Sequence, residues 1–163
     1  MSNNIEDVIN FLQLSDRIAT AGQPTIDQYP AIAAAGYQVV INLALIDSPS
    51  ALVDEFTIAR NLGLEYIQIP VIWTEPTLAD FQAFVKIMAK YSDRKVFVHC
   101  AANKRVSAFL YLYRQLVEGV DQTTAHQDLV KIWIPNPIWQ DFIDSTSLEY
   151  SRQIGRASCR ERV

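Results

Sequence analysis

Hydrophobic residues in this chain occur in two patterns: short continuous runs, and stretches in which they recur every three or four positions. The continuous runs are rich in valine, isoleucine and leucine, which is typical of strands buried on both faces of a sheet. They predict strands at 12–14, 17–20, 39–43, 64–71 and 95–99. The helical pattern, bounded by capping residues, proline or glycine, predicts helices at 5–11, 25–35, 48–62, 77–91, 105–118, 122–132 and 137–146.

The order of these elements predicts the fold class. Strands that alternate with helices form a mostly parallel central sheet flanked by helices on both faces, so we expect an α/β fold. Ligands of such folds bind beyond the carboxyl ends of the strands. The strand predicted at 95–99 ends directly before Cys100, which places this side chain at the edge where a site is expected.

Length and composition indicate one domain and argue against several partners. The chain has 163 residues, of which 50% are hydrophobic and 20% charged, enough for one sizeable core within residues 1–153. The net charge of −4 argues against a nucleic-acid partner, because phosphate contacts need clustered lysine and arginine. No apolar run approaches membrane-spanning length and no secretory signal pattern is evident, so we expect no membrane partner and a cytoplasmic location.

The last ten residues, 154–163, read IGRASCRERV and resemble the in-frame translation of a sequencing adapter. We therefore set them apart from the domain as an artefact. They carry three arginines and one glutamate, so the rest of the chain is more acidic than the net charge of −4 suggests. They also carry Cys159, which leaves Cys100 as the only thiol of residues 1–153. The alternative is a genuine basic tail.

Residues 96–105 read VFVHCAANKR and carry the strongest chemical signal in the chain. A strand ends at His99, Cys100 follows, a loop of small residues comes next, and Arg105 opens an amphipathic helix. Loop N–H groups and the positive end of a helix dipole stabilise a thiolate over a thiol. A thiolate beside an anion pocket is equipped for nucleophilic transfer chemistry. The alternative is a buried cysteine with a structural role.

The other residues of this loop fit an anion cradle. Ala101 and Ala102 leave room for the backbone to approach an anion, and Asn103 tolerates the left-handed conformation of a tight loop. Arg105 is suited to bind an oxyanion through two hydrogen bonds, while Lys104 adds positive charge at the rim. Together they predict a site for an anionic group next to the cysteine.

His99 is predicted to organise the loop through hydrogen bonds. It comes one residue before Cys100, so its side chain points to the opposite face of the strand and is not expected to act as a proton shuttle. No cluster of histidine, cysteine and acidic residues has metal-ligand spacing, and the sequence has no glycine-rich nucleotide motif. We therefore expect neither a metal nor a cofactor.

With its histidine, cysteine and arginine, the loop resembles that of the cysteine-dependent protein-tyrosine-phosphatase-like superfamily. The resemblance is to a bacterial branch related to the phosphatase-like domain of β-lactamase-hydrolase-like proteins. It covers residues 12–143 and also rests on AGQP at 21–24, VINL at 40–43 and IPV at 69–71.

This resemblance implies a parallel sheet wrapped by helices, as in dual-specificity phosphatases, and a cysteinyl-phosphate intermediate. Cys100 would be the nucleophile, and the backbone of residues 101–105 would hold the phosphoryl oxygens. Arg105 would stabilise the transition state. The substrate would be a small phosphate ester or a phosphoprotein; the sequence makes no prediction of oligomeric state.

The loop departs from the superfamily signature in length. The signature places five residues between cysteine and arginine, whereas this chain places four between Cys100 and Arg105. Without a gap, the signature arginine falls on Val106, which belongs to the apolar face of the predicted helix. Asn103 stands where the signature usually has glycine. Ser107 would match the hydroxyl residue that assists departure of the thiolate.

A phosphatase also needs an acid to protonate the leaving group. In the related enzymes this acid is an aspartate on a loop before the cysteine, and here Trp73 stands at that position. Glu75 is the nearest carboxylate and our candidate acid. The alternative for Glu75 is an exposed loop residue in front of a helix.

Three further features, an aromatic-rich joint and two amide side chains, each have two possible interpretations. An aromatic-rich joint between Trp133 and Trp139 forms either a packed corner or a wall of the substrate cleft. Gln23 and Asn42 lie in segments typical of the superfamily, where their amides either orient the loop or have core and turn roles.

Three functional hypotheses follow. The leading one is a cysteine-dependent phosphatase-like hydrolase of phosphomonoesters. The second is a rhodanese-like sulfurtransferase that carries sulfur as a Cys100 persulfide, because the shorter loop also resembles that of rhodaneses. The third is an anion-binding module without catalysis, which the displaced arginine and the absent aspartate suggest.

Overall fold

A five-stranded sheet forms the centre of the fold. The computed structural model of the chain describes residues 4–161, with side chains as far as residue 155. The strands are β1 (Leu12–Gln13), β2 (Ile18–Ala21), β3 (Val39–Asn42), β4 (Glu65–Gln68) and β5 (Val96–His99). They lie in the order β1-β2-β5-β3-β4, and every neighbouring pair is parallel except β1 with β2. The expected α/β fold with a mostly parallel sheet is confirmed.

Helices cover both faces of this sheet. Within residues 4–161 they are α1 (Tyr29–Ala34), α2 (Glu55–Asn61), α3 (Leu78–Lys90), α4 (Lys104–Leu116), α5 (Gln122–Ile132) and α6 (Pro137–Glu161). Short 3-10 helices lie at Ile5–Asp7 and Ile26–Gln28. None of the helices in this part of the chain combines the length and the apolar character needed to cross a bilayer.

The strands alternate their side chains between two apolar cores. On one face, Val96 and Val98 of β5 pack in a cluster that also contains residues of α3, α4, α5 and α6. On the other face, Phe97 packs with residues of α1 and α2. Because successive side chains of a strand point to opposite faces, the next two residues, His99 and Cys100, also face opposite layers.

The helix predicted at 48–62 is wrong in its first half. The structure has an irregular segment at residues 43–54, and α2 begins only at Glu55. Ser48 N–H donates to the carbonyl of Leu45, and Ala51 N–H donates to the carbonyl of Ser48, so successive turns occupy the backbone of this segment. These turns, and not the start of a helix, occupy the position at which Ser48 was predicted to act as a cap.

Two other predicted helices differ in length. The helix predicted at 5–11 is a single 3-10 turn, because Val8 has extended dihedral angles (φ −63°, ψ 138°). The helix predicted to end at residue 146 continues to Glu161, since neither proline nor a positive-φ glycine interrupts it. This helix continues across residue 153. The boundary between the domain and the artefact therefore stays a prediction, because no helix or strand ends there.

The carboxyl ends of the strands meet at one edge of the sheet. Ala21 of β2 is paired with His99 of β5, and Asn42 of β3 is also paired with His99. The central strand β5 therefore delivers Cys100 to the middle of this edge, between the segments that follow β2 and β3. This placement agrees with the sequence prediction for the site.

Candidate active site

The loop after β5 is held by its carbonyl groups. The carbonyl of Ala101 accepts a hydrogen bond from Gln23 N–H at 3.0 Å, and that of Ala102 accepts one from Asn10 Nδ2 at 3.0 Å. In a trans peptide the N–H group points opposite to the carbonyl, and the described residues have no cis peptide bond. The N–H groups that follow these two carbonyls therefore point away from Gln23 and Asn10.

Asn103 turns the loop into α4. It has a left-handed conformation with φ 66°, as the sequence predicted for a tight loop. Its side chain is buried and points away from the cysteine cavity: Nδ2 donates to the carbonyl of Asn10 at 2.8 Å and to Oγ1 of Thr20 at 3.1 Å. The side chain does not cap α4, so the N–H groups of the first helical turn stay free of a side-chain partner.

A cavity of about 280 Å³ opens at the end of β5. It brings together five of the predicted site residues, which are Cys100, Ala101, Ala102, Lys104 and Arg105. Ser48 and Pro49 of the segment after β3 and Trp73 of the segment after β4 complete its lining. The residues of the predicted anion site therefore line one cavity.

Arg105 is held by the segment that follows β4. Its side chain is buried, and Nη1 donates to the carbonyl of Val71 at 2.9 Å. The Cys100 side chain is also almost fully buried, with 1% of the residue exposed. A guanidinium group and a sulfur atom thus line one small cavity beside a helix N-terminus, which is a favourable environment for an anion.

Ser107 does not lie in this cavity. Its hydroxyl donates to the carbonyl of Lys104 at 2.8 Å and accepts a hydrogen bond from Trp133 Nε1 at 3.0 Å. Ser107 thus links α4 to Trp133. Its role in the departure of the thiolate stays a prediction.

Glu75 is not brought to the cavity either. It is exposed and lines a different surface cavity together with Ile138 and Asp141. The chain turns between Ile72 and Glu75, where Glu75 N–H donates to the carbonyl of Ile72 at 3.0 Å. This turn leaves Trp73 on the cavity side and carries the carboxylate past it, so the placement corrects the sequence-based candidate for the acid.

Two tryptophan rings support Trp73 in the wall of the cavity. The centroid of the Trp73 ring lies 5.4 Å from that of Trp133 and 5.8 Å from that of Trp139. Trp139 Nε1 also donates to the carbonyl of Trp73 at 2.8 Å. Lys104 Nζ lies 5.5 Å from the Trp133 ring centroid. The aromatic joint is thus both a packed corner and the support of a cavity wall.

His99 is fully buried and lies between two hydrogen-bond acceptors. Its Nδ1 is 3.2 Å from the carbonyl oxygen of Cys100, and its Nε2 is 2.6 Å from Oε2 of Glu55. Both partners are hydrogen-bond acceptors, so the ring is anchored on both sides. His99 thus links the backbone of Cys100 to the Glu55 carboxylate.

Glu55 is the main residue that sequence reasoning missed. Its carboxylate also accepts hydrogen bonds from the hydroxyl of Tyr29 and from Gln23 Nε2, the latter at 3.1 Å. Burial opposes its ionisation, but the hydrogen bond and charge of His99, with the other two donors, hold the pKa of Glu55 below its usual range. Burial and the Glu55 carboxylate raise the pKa of Tyr29.

The burial of Glu55 became visible only in the structure. Glu55 and Ala59 are the buried residues of α2 and lie one helical turn apart. An acidic residue is almost never fully buried without a partner. The helix predicted at 48–62 includes Glu55, but no partner for its carboxylate was predicted.

Gln23 and Asn42 have different roles. Gln23 holds the loop through its backbone and Glu55 through its side chain. Asn42 shapes the turn after β3, where Oδ1 accepts from Ala44 N–H at 2.9 Å. In the described part of the chain, no group of three or more histidine, cysteine and acidic side chains is placed to hold a metal ion.

Comparison with known proteins identifies the family. The sequence profile of the family described as "DSP-PTPase phosphatase fused to NAD+ Kinase" matches residues 2–136. The chain belongs to this phosphatase family. The curated relatives include the beta-lactamase hydrolase-like proteins of Xylella fastidiosa strain Temecula1, 33% identical over 114 residues, and of Agrobacterium fabrum, 31% identical over 124 residues.

The match covers 68% of this chain and 26% of the Xylella protein, and 74% of this chain and 28% of the Agrobacterium protein. The chain thus spans about a quarter of the length of these relatives. Among solved structures, a DUF442 phosphatase candidate from Shewanella putrefaciens is 30% identical with a TM-score of 0.81, over 90% of this chain and 97% of that one.

The SIW14 core catalytic domain from S. cerevisiae, a PP-IP phosphatase, has a TM-score of 0.72 over 93% of each chain. At 14% identity this likeness shows the fold alone. The expected resemblance to the protein-tyrosine-phosphatase-like superfamily, including the branch of the β-lactamase-hydrolase-like proteins, is confirmed.

Proposed function

We propose that this member of the phosphatase family is a cysteine-dependent hydrolase of phosphomonoesters, with Cys100 as the nucleophile. One observation carries the proposal: the sulfur-bearing residue, the guanidinium of Arg105 and the small residues of the loop line a single cavity at the carboxyl edge of the sheet. Its volume of about 280 Å³ accommodates a phosphoryl group and part of a leaving group. A free thiol catalyst needs a reducing compartment, so the proposal includes a cytoplasmic location.

In the first step the Cys100 thiolate attacks phosphorus, and an S–P bond forms. The bond between phosphorus and the ester oxygen breaks, and its electron pair leaves with that oxygen. In the second step water attacks phosphorus and loses a proton to solvent, the S–P bond breaks, and inorganic phosphate departs. Arg105 and the loop N–H groups stabilise the charge on the phosphoryl oxygens in both transition states.

The cavity favours leaving groups that depart without a proton. The described residues that line it include no carboxylate, and Trp73 occupies the wall where an acid would help. Aryl phosphates and mixed phosphate anhydrides release weakly basic oxygens, so their cleavage depends little on a general acid. We therefore propose aryl phosphates and mixed phosphate anhydrides, rather than simple alkyl phosphates, as the preferred substrates.

Hydrolysis of para-nitrophenyl phosphate tests the proposal. We expect turnover by the wild type, none by Cys100→Ser, and a kcat about 100-fold lower for Arg105→Lys, because lysine cannot form two parallel hydrogen bonds to an oxyanion. Arg60→Lys is the matched control, since Arg60 is half-exposed and pairs with Glu65 on the surface. Hydrolysis that persists in Cys100→Ser contradicts the mechanism.

Sulfur transfer is the second candidate, and two observations favour it. The loop places only four residues between Cys100 and Arg105, and the described lining of the cavity has no acid. In this reaction the thiolate attacks the outer sulfur of thiosulfate, the S–S bond breaks, and sulfite leaves with the electron pair. Sulfite needs no proton to depart. Mass spectrometry after thiosulfate treatment separates the two: a gain of one sulfur on Cys100 favours transfer, and an unchanged mass opposes it.

A further inference from the structure

Glu55 does not line the cysteine cavity, but its carboxylate forms hydrogen bonds with three segments of the chain that lie near this cavity. It begins α2, is 6% exposed, and accepts hydrogen bonds from Tyr29 of α1, from Gln23 after β2 and from His99 of β5. Gln23 in turn holds the Ala101 carbonyl of the cysteine loop. Such a carboxylate, buried with three donors, acts as a rigid joint.

We propose that Glu55 is a positioning residue that acts through His99 to fix the Cys100 backbone and to keep a positive charge beside the sulfur-bearing residue. This inference rests on the proposed function, since it assigns a role to Glu55 in the reaction of Cys100. The segments on which the superfamily resemblance rests do not include Glu55.

The physical argument starts from the two acceptors that contact the His99 ring. A ring that donates from both nitrogens carries a positive charge, and an ion buried in an apolar layer is stable only if it is paired and its hydrogen bonds are satisfied. Phe97 lies on the same face of β5, and the two ring centroids are 6.2 Å apart. Glu55 is the partner that such a charge requires, and Glu55→Gln leaves the charged ring without it.

The hydrogen bond to the Cys100 carbonyl depends on the same carboxylate. His99 donates to both acceptors at once only as a doubly protonated ring, and the Glu55 carboxylate at Nε2 stabilises that form. A neutral ring, in contrast, has one donor and can leave one of these two contacts empty. Loss of the carboxylate therefore changes both the charge near the sulfur and the anchoring of the loop.

Few other ionisable groups act on this network. Tyr29 donates to Glu55, and Tyr66 of β4 lies close enough that burial and the Glu55 charge raise its pKa. On the side of Cys100, Arg105 and Lys104 of α4 line the cavity. Glu55 supplies the negative charge of the set, so its removal has a direct effect on the positive charge of His99.

Thiol labelling measures this effect without reference to phosphatase turnover. We expect Glu55→Gln to react with iodoacetamide about tenfold more slowly than the wild type at pH 6, because the thiolate is the reactive form and a positive charge near it favours that form. With para-nitrophenyl phosphate we expect kcat to fall about tenfold while KM changes less than twofold, because the substrate contacts are intact.

Glu65→Gln is the matched control. It makes the same chemical change at an exposed position where the lost partner is Arg60, and we expect wild-type labelling and turnover. His99→Gln tests whether Glu55 affects the reactivity of Cys100 through His99. If Glu55 acts through His99, the double variant is no slower than His99→Gln alone. Defects that multiply in the double variant overturn the proposal, as does a Glu55→Gln variant that labels with the wild-type rate and pH dependence.

Tyr29→Phe gives a second test that keeps the carboxylate and therefore the fold. It removes one of the three donors that hold the carboxylate, and we expect labelling at pH 6 to differ about threefold from that of the wild type. If Glu55→Gln does not fold, an unchanged pH profile in Tyr29→Phe overturns the proposal. The two proposals fail separately: a wild type without turnover contradicts the hydrolase, whereas unchanged thiol labelling contradicts the role of Glu55.

Discussion

A Cβ atom at Gly22 would lie 2.5 Å from the carbonyl oxygen of Ala101. The segment after β2 therefore touches the cysteine loop backbone to backbone. The same carbonyl oxygen accepts the hydrogen bond from Gln23 N–H, so the two segments are tied where they are closest. The contact leaves space only for glycine and makes the loop conformation depend on a residue far away in sequence.

We predict that Gly22→Ala damages the site more than the fold. The new methyl group forces the cysteine loop away and costs about 1–3 kcal/mol of unfolding free energy, as overpacking usually does. Most of the variant should stay folded, yet its kcat for para-nitrophenyl phosphate should fall strongly, because the cysteine loop is displaced. Gly63→Ala is the comparison: it has φ +79° but open space around it, so it should lose about 1 kcal/mol to backbone strain and keep full turnover.

We predict that Trp73→Asp changes the substrate preference. The side chain lines the cysteine cavity, so an aspartate there places a carboxylic acid near the leaving group. The ratio of kcat for an alkyl phosphate to kcat for an aryl phosphate should rise at least about tenfold over Trp73→Asn. Trp73→Asn is the control: asparagine has nearly the same size as aspartate but no acidic group, and both variants remove the same ring contacts. Equal ratios in the two variants would show that the acid is not in reach of the leaving group.

We predict that Asn103→Gly is tolerated better than Asn103→Ala. Both variants lose the hydrogen bonds to Asn10 and Thr20, which cost about 1–3 kcal/mol together. Alanine adds about 1–2 kcal/mol, because the residue has φ 66° and glycine alone adopts this conformation without strain. Urea unfolding of the two variants measures the difference. A more stable alanine variant would mean that the loop leaves the left-handed conformation.

We predict that the protein loses stability in acid through two carboxylates. Despite burial, the donors around Glu55 hold its pKa below its ordinary value; the pKa of Asp128 is lowered likewise, by Arg114 and Lys131 against the effect of burial. A carboxylate with a lowered pKa stabilises the fold fully above its unfolded-state pKa of about 4, and this contribution disappears as the pH falls through the folded-state value.

Urea titrations between pH 7 and pH 3 measure this loss. Asp128→Asn should be less stable than the wild type at pH 7, because Arg114 Nη1 lies 2.6 Å from Asp128 Oδ2 and side-chain exposure of the pair is only 10% and 19%. The variant should also show a shallower fall of stability below pH 5. A wild type and a variant with parallel pH profiles would contradict the assignment.

Local sequence signals determined most of the fold and the centre of the site. The apolar run before Cys100 predicted a strand, and the strand delivered the cysteine to the carboxyl edge of the sheet. The small residues, Asn103 and Arg105 predicted a tight, positively charged loop, which the left-handed φ and the shared cavity agree with. These features could be predicted from the sequence because they depend on residues within a few positions along the chain.

The tertiary structure decided what lies around that loop. Burial of Glu55, the turn that separates Trp73 from Glu75, and the hydrogen bond from Trp133 to the Ser107 hydroxyl all depend on packing between distant segments. No pattern of spacing encodes such contacts, because a hydrogen-bond partner is chosen by the fold and not by sequence distance. The sequence thus determined where the thiol stands, whereas long-range packing decided which charges surround it.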